Sequence, residues 1–390
     1  MVTLSSADKV LKNVYLGVIC DQLNKRTNPF YAAIQQGSEL VNGKNAVAII
    51  RNGINGGVGS GTESGALPAA KNSTYYQLIA DLKNIYGTIE ISDKALRASQ
   101  NSANALVNLL NDEMEALLDS AKFNFGRMLW QNGSGVLTKV ASLEGHSSTS
   151  EIPVEDTRNL MEGMTIDFAN GNIEVSTGHT VSEINRADKI IRISPALSEL
   201  SVIQAGTKIC LQGSNEKEIY GLPYLFDHTI SMFYNTPRSL VPAILPKTTT
   251  VSGELSSEMM QTALDDLEIA SGNETDMILG SHETRKKYFA YLQTTRTNID
   301  YMNLDGGFKA LSYNGIPFVA DRFCPDGEMY FVNTKDFRLA SLCDWQWIEG
   351  ENGRILTQIE KTPTYMATLV KYANLICVRP KGQACIKGFN

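Results

Sequence analysis

The spacing of apolar and polar positions changes character several times along the chain, and each change predicts an element. Val10, Leu11, Val14, Ile19 and Leu23 recur at roughly helical spacing, which predicts an amphipathic helix over 5–27. Ser5 supplies a plausible N-cap with Asp8 three residues on, and Asn28-Pro29 closes the helix. "NAVAIIRNGIN" (45–55) is short and β-branched and predicts a strand. In "YYQLIADLKNIYGTIEIS" (75–92), Ile85, Gly87, Ile89 and Ile91 alternate with Thr88 and Glu90, which is strand periodicity. Between the two strands lies "INGGVGSGTESGALPAAKN" (54–72), with glycine at 56, 57, 59, 61 and 65. Hairpin loops usually hold ~2–5 residues, and much longer ones are functional or disordered. The pattern predicts a long, open hairpin whose tip is polar, glycine-rich and nearly without large apolar groups.

A long helix is predicted from about Ser99 to Trp130, where no proline and no glycine before Gly126 interrupts the chain. Leu106, Leu110, Met114, Leu117, Leu118, Ala121, Phe125 and Met128 fall three or four apart and form one apolar stripe. At ~1.5 Å per residue such a helix would be about 45–50 Å long. Residues 152–226 carry short β-like runs, "GMTIDF", "KIIRIS" and "GTKICL", broken by "ANGN", "TGHT" and "QGSNEKE". They predict a small inserted β-barrel or sandwich. From about 254 the pattern is mixed: helices at "SSEMMQTALDDLEIAS" and "HETRKKYFAYLQTT", strands at "DMILG", "GIPFVAD", "MYFVNT", "TYMATLVKYANLICVRP" and "QACIKGF". The class is α+β, with no internal repeat and no low-complexity tract.

Composition narrows the function classes. The chain has 390 residues, 43% apolar and 20% charged, as in a core-forming globular protein. Its formal net charge of −7 argues against a protein whose main task is gripping nucleic acid. No stretch approaches ~18 consecutive apolar residues, so no membrane span is expected, and the N-terminus carries no signal-peptide pattern. Six scattered cysteines with no CxxC pair read as free thiols in a reducing cytoplasm.

The candidate chemistry is thin. A phosphate-binding GxxxxGK[ST] is absent: Gly43-Lys44 is followed by Asn45 and has Ser38 where the first glycine belongs. A dinucleotide GxGxxG fails at Thr62, and a strand rather than a helix follows. The four histidines, His146, His179, His228 and His282, form no HxxxH or HExxH. The adjacent pairs Asp112-Glu113 and Asp265-Asp266 point in different directions on a helix and read as solvated faces. Trp345 and Trp347, two apart, are expected to pack one face of a sheet. No catalytic, metal-binding or cofactor-binding residue is assigned.

Several phrases, in order, resemble tailed-bacteriophage major capsid proteins, the Hong Kong 97-type fold shared with encapsulins. They are "NPFYAAI" (28–34), "GGVGSGTESGALP" (56–68), "NIYGTIEIS" (84–92), "LVNLLNDEMEALLDSAKFNFGRMLWQNGSG" (106–135), "EIYGLPYLFD" (218–227), "YNGIPFVAD" (313–321) and "RPKGQACIKGF" (379–389). The resemblance implies an N-terminal arm (1–37), an extended-loop hairpin (38–92), a peripheral domain with a spine helix (93–151), an inserted barrel-like lobe (152–226), an axial domain with connecting segments (227–360) and closing strands that return to the peripheral sheet (361–390). It implies subunit contacts through Arg51, Asn55, Gly57, Gly59, Gly61, Glu63, Pro68 and Lys71 on the extended loop, and through Val10, Val14, Leu23, Pro29 and Phe30 on the arm. Leu106, Leu110, Met114, Leu117, Phe125 and Met128 would form the core face of the spine helix.

The function so implied is a non-enzymatic shell protein, assembled through hexamers and pentamers into an icosahedral phage head around double-stranded DNA in the host cytoplasm. An encapsulin-type compartment is the alternative, and an enzyme or carbohydrate-binding protein with an inserted β-domain a more distant one. The implied partners are a separate scaffolding protein, portal and head–tail connector proteins, and a decoration protein. The family's covalent welding of subunits, where it occurs, uses a lysine on the extended loop. This chain has none between Arg51 and Ala70, so noncovalent contacts are expected.

Overall fold

The structure is a computed structural model that describes residues 28–94, 103–294, 301–303, 309–350, 353 and 355–389. The helix predicted over 5–27 lies outside the described residues, and with it Val10, Val14 and Leu23. The chain forms two compact units, one made of Met1–Phe123 with Leu225–Asn390, the other of Asn124–Tyr224.

In the first unit, strands Asn45–Asn52 and Thr74–Asp81 pair antiparallel from Asn45↔Asp81 to Asn52↔Thr74. Their β-branched and aromatic content favours a pleated ladder. The base of this hairpin is sunk in the fold, because Ala46, Ala48, Ile50, Leu78 and Ala80 are all buried on one face. The edge of the second strand is capped: the Ile79 amide donates to the Tyr234 carbonyl at 3.0 Å, and the Thr236 hydroxyl to the Gln77 carbonyl at 3.2 Å.

Strand Lys83–Ser92 continues out of the hairpin and pairs antiparallel with Thr364–Cys377. Thr364–Cys377 pairs in turn with Phe337–Trp347. Gln35–Gly37 and Thr357–Gln358 complete this five-stranded sheet. The predicted alternation holds, since Ile89 and Ile91 are buried while Thr88 and Glu90 are exposed. Trp345 and Trp347 are buried, as their spacing predicts. The long helix runs from Ala103 to Met128, 26 residues and about 39 Å. It approaches the sheet closely at Gly87, where a Cβ would sit 3.0 Å from Leu117 Cδ1. Leu117 is half-buried, and Phe125 and Met128 are buried. The side chains of Leu106, Leu110 and Met114 lie outside the description.

The other large sheet of this unit has seven strands and buries helices Ser257–Ser271 and His282–Thr294 against Ile278, Phe318, Met329, Phe331 and Ile386. Ser256 caps the first of these helices, its side chain accepting from the Met259 amide. Here one expectation changes. Only Thr364–Cys377 returns to the sheet beside the hairpin. The last strand, Ala384–Phe389, lies between Lys247–Gly253 and Glu328–Val332 in the seven-stranded sheet. The turn at Pro380–Gly382 redirects the chain between the two.

The second unit is a closed six-stranded antiparallel barrel. Its strands are ordered Val136–Lys139, Lys208–Leu211, Thr165–Asn170, Ile173–Asn185, Ile190–Ser194 and Glu151–Pro153. A bridge between Val140 and Val154 joins the two ends, with the Ala141 amide on the Pro153 carbonyl at 2.9 Å and the Glu155 amide on the Lys139 carbonyl at 3.0 Å. Closure removes the free sheet edges. The interior is apolar, with Ile152, Leu160, Ile166, Phe168, Val181, Ile191 and Ile209 fully buried. "TGHT" is no break, contrary to the sequence pattern. Strand Ile173–Asn185 runs through it, with Gly178 at φ +77° donating its amide to Asp167 Oδ1 at 2.8 Å. The left-handed glycine bends the strand without ending it.

Candidate assembly surfaces

Beyond Asn52 and Thr74 the hairpin ladder stops and the chain continues as an arm, residues 53–73. A turn reverses it at the tip, where the Gly65 amide donates to the Thr62 carbonyl at 3.1 Å. The two legs are not splayed open. A Cβ on Gly57 would lie 3.3 Å from the Lys71 amide, one on Gly59 3.3 Å from Pro68 Cγ, and one on Gly61 3.8 Å from the Ala66 carbonyl. The Gly57 amide is held by Asn55 Oδ1 at 2.8 Å. Of the arm glycines, Gly53 alone has positive φ, at +77°. The others serve close approach: with no side chain on one leg, the second leg can lie against it. Pro68, which has no amide hydrogen, helps keep this contact from becoming a β-ladder.

Seven of the eight loop residues expected at an interface, Arg51, Asn55, Gly59, Gly61, Glu63, Pro68 and Lys71, are exposed; Gly57 is half-buried between the legs. Arg51, Glu63 and Lys71 have no ion-pair partner among the described residues. The expectation of a tip nearly without apolar groups is corrected. Val58 and Leu67 are each 90% exposed, and Ile49, Ile54 and Tyr75 are exposed with them. Their signal was present in the sequence as single apolar residues between glycines, where no periodicity marks them.

Pro29 and Phe30, expected at a subunit interface, are instead core residues of their own chain. Both are buried in the short helix Pro29–Ala33, which Asn28 caps through the Tyr31 amide at 2.9 Å. The Phe30 ring meets Phe337 edge-on with centroids 5.3 Å apart. An aromatic ring gains about 1.5–3 kcal/mol from such burial, so it folds inward when a pocket exists within its own chain.

No constellation for chemistry is assembled among the described residues: no three His, Cys, Asp or Glu side chains are placed to hold a metal. Among the described residues no helix is long and apolar enough to cross a membrane. His179 is buried, with Nε2 at 2.7 Å from Ser176 Oγ and Nδ1 at 2.6 Å from the Pro195 carbonyl, so both ring nitrogens serve the barrel. Burial pushes the Cys210 thiol up to about 11 and the Cys377 thiol higher still.

The chain is similar to a chain of the cyanophage A-1(L) capsid asymmetric unit, with a TM-score of 0.55 at 13% identity over 93% of both chains. It is also similar to the capsid of an empty GTA particle, with a TM-score of 0.49 at 10% identity over 94% of this chain and 91% of that one. A third similarity is to the holo-SrpI encapsulin complex of Synechococcus elongatus PCC 7942, with a TM-score of 0.46 at 9% identity over 96% and 95% of the two chains. No family profile and no curated protein matches the chain. At such low identity the likeness is one of fold: the α+β chain has the capsid fold of its cyanophage neighbour.

Proposed function

We propose that this protein is a major capsid protein, the subunit of a phage head shell. The observation that carries the reading is the combination of that fold over nearly the whole chain with an arm whose apolar side chains are exposed and whose charged side chains have no ion-pair partner among the described residues. A thin shell makes each subunit bury area against several neighbours at once, and many modest contacts add up to a stable particle. The arm, the long helix as a spine and the two large sheets as peripheral and axial domains give the chain parts that can do this. The barrel is then a lobe added to the minimal shell subunit.

In this reading the chain builds hexamers and pentamers, encloses double-stranded DNA without sequence-specific grip, and works with separate scaffolding, portal and connector proteins in the host cytoplasm. A decoration protein is a further partner. Its work is structural rather than catalytic. Negative-stain imaging of the purified chain, alone and with co-expressed scaffold, tests the reading. Capsomer rings or closed shells are expected; a chain that stays monomeric at high concentration under both conditions overturns it.

A further inference from the structure

The chain carries seven Asn-Gly pairs, beginning at Asn42, Asn52, Asn55, Asn132, Asn170, Asn314 and Asn352. In such a pair the glycine nitrogen can approach the asparagine side chain, because no Cβ restricts the backbone between them. Asn352 lies outside the described residues, and the fold treats the other six differently. Asn42, Asn52 and Asn170 are fixed in strand ladders opposite Asn45, Thr74 and Ile173. Asn314 is tied down through its Nδ2, which donates to Gln261 Oε1 at 2.7 Å. Asn132 accepts from the Ser134 amide at 3.3 Å, but Gly133 is buried, and a Cβ there would lie 2.6 Å from the Tyr220 ring. Asn55 is under none of these restraints. It lies on the arm beyond the ladder, and both it and Gly56 are exposed. The Gly56 amide makes no hydrogen bond among the described residues. The Gly57 amide donates to Asn55 Oδ1 at 2.8 Å. That donor polarises the side-chain carbonyl and is in place to hold the oxyanion that forms when the carbonyl is attacked.

We propose that Asn55 is a self-modifying site, at which the Gly56 nitrogen displaces the side-chain amide. The Gly56 nitrogen gives its proton to solvent and bonds to Asn55 Cγ. The Cγ–Nδ2 bond then breaks, and Nδ2 takes up a proton and leaves as ammonia. The product is a five-membered succinimide. Water opens it at either carbonyl. Cleavage of the new N–Cγ bond leaves aspartate at 55; cleavage at the Asn55 main-chain carbonyl leaves an isoaspartyl link, with one extra methylene in the backbone. Both products carry a carboxylate where the parent has a neutral amide. Residues 53–73 hold one anion, Glu63, and one cation, Lys71, so their formal charge goes from zero to −1. The new anion lies opposite the leg that bears Lys71, since a Cβ on Gly57 would be 3.3 Å from the Lys71 amide. The inference goes beyond the shell reading and concerns the free chain, whether or not it assembles.

Peptide mass mapping of the folded chain, held in mildly alkaline buffer and sampled over time, tests this. Isoaspartyl groups are read in parallel by enzymatic methylation. The peptide containing Asn55 is expected to convert from amide to acid first, ahead of those containing the other five described pairs. Earlier conversion at any of those five overturns the proposal. In urea, where ladders and turns are lost, the six should convert at similar rates; a lead of Asn55 that is undiminished in urea overturns the assignment to the folded arm. Gly56→Ala should slow conversion about tenfold, since a Cβ narrows the backbone angles that bring the nitrogen to Cγ. The variant should keep its melting temperature, because that Cβ would stand 3.5 Å from Lys71 Cγ, an ordinary contact. A Gly56→Ala chain that converts as fast as the parent also overturns the proposal.

Discussion

Arg127 and Glu218 form a two-pronged ion pair with no access to solvent. Arg127 Nη1 donates to Glu218 Oε2 at 2.8 Å and Nη2 donates to Oε1, with 0% and 1% of the two side chains exposed. Arg127 stands in the last turn of the long helix, where a cation is favoured by the helix dipole, and Glu218 lies on the chain that leaves the barrel. The pair ties the end of the helix to the return segment of the barrel unit. Removing one partner strands a buried charge, so Arg127→Met should destabilise by about 3–5 kcal/mol, while Arg127→Met with Glu218→Leu should recover much of that loss. Urea unfolding followed through the barrel unit measures both; a single variant as stable as the parent would mean the pair is not buried in solution.

The thiols should divide by burial. Cys210 is buried and its thiol is pushed up to about 11, mainly by desolvation, so it stays protonated and unreactive between about pH 7 and 9. Cys324, Cys377 and Cys385 are also buried, and Cys343 is half-buried on the sheet face that bears Tyr86. Among these five, alkylation of the folded chain followed by peptide mass mapping should label Cys343 first. Rapid labelling of Cys210 with the fold intact would contradict its placement inside the barrel.

Much of this architecture was legible in local patterns, and the failures share one cause. The strands at 45–52 and 83–92 and the helices at 103–128 and 257–271 follow from period, capping and turn residues, which act over a few positions, whereas the barrel, expected within 152–226, also takes the strand Val136–Lys139 from before that range. What needed a distant partner was not legible. Phe30 turns inward onto Phe337, which belongs to a strand far along the chain and leaves no local mark beside Phe30. The alternation in "QACIKGF" states that it is a strand and not which sheet it joins. Gly178 carries the same letter at a bend inside a strand as a glycine carries at a turn that ends one. The edge-on pair of Tyr86 and Tyr372 exists only once register is known. Val58 and Leu67 were masked by the glycines around them, although both are plain in the sequence.

Subunits should be held together without covalent links. Lys71 is the lysine nearest the arm tip in sequence, and it stands on the descending leg rather than at the tip, its Cγ 3.5 Å from where a Gly56 Cβ would be. An amine must be deprotonated to attack a side-chain amide, which desolvation favours, and Lys71 is exposed. Arg51 cannot replace it, because a guanidinium stays protonated. Boiling purified particles in SDS should give one band near 42.8 kDa. A ladder of multimers that survives boiling and reducing agent would contradict this, with Lys71→Arg the first variant to follow.

The arm is the part on which the shell account turns, and replacing residues 55–70 by a two-residue Asn-Gly turn tests it most directly. The hairpin base keeps Ala46, Ala48, Ile50, Leu78 and Ala80 in the core, and the replaced residues contribute no buried side chain. The shortened chain is expected to be folded, with a thermal midpoint close to that of the parent, and to sediment as free subunits under conditions where the parent forms shells. Shells of parental size from the shortened chain would contradict the account.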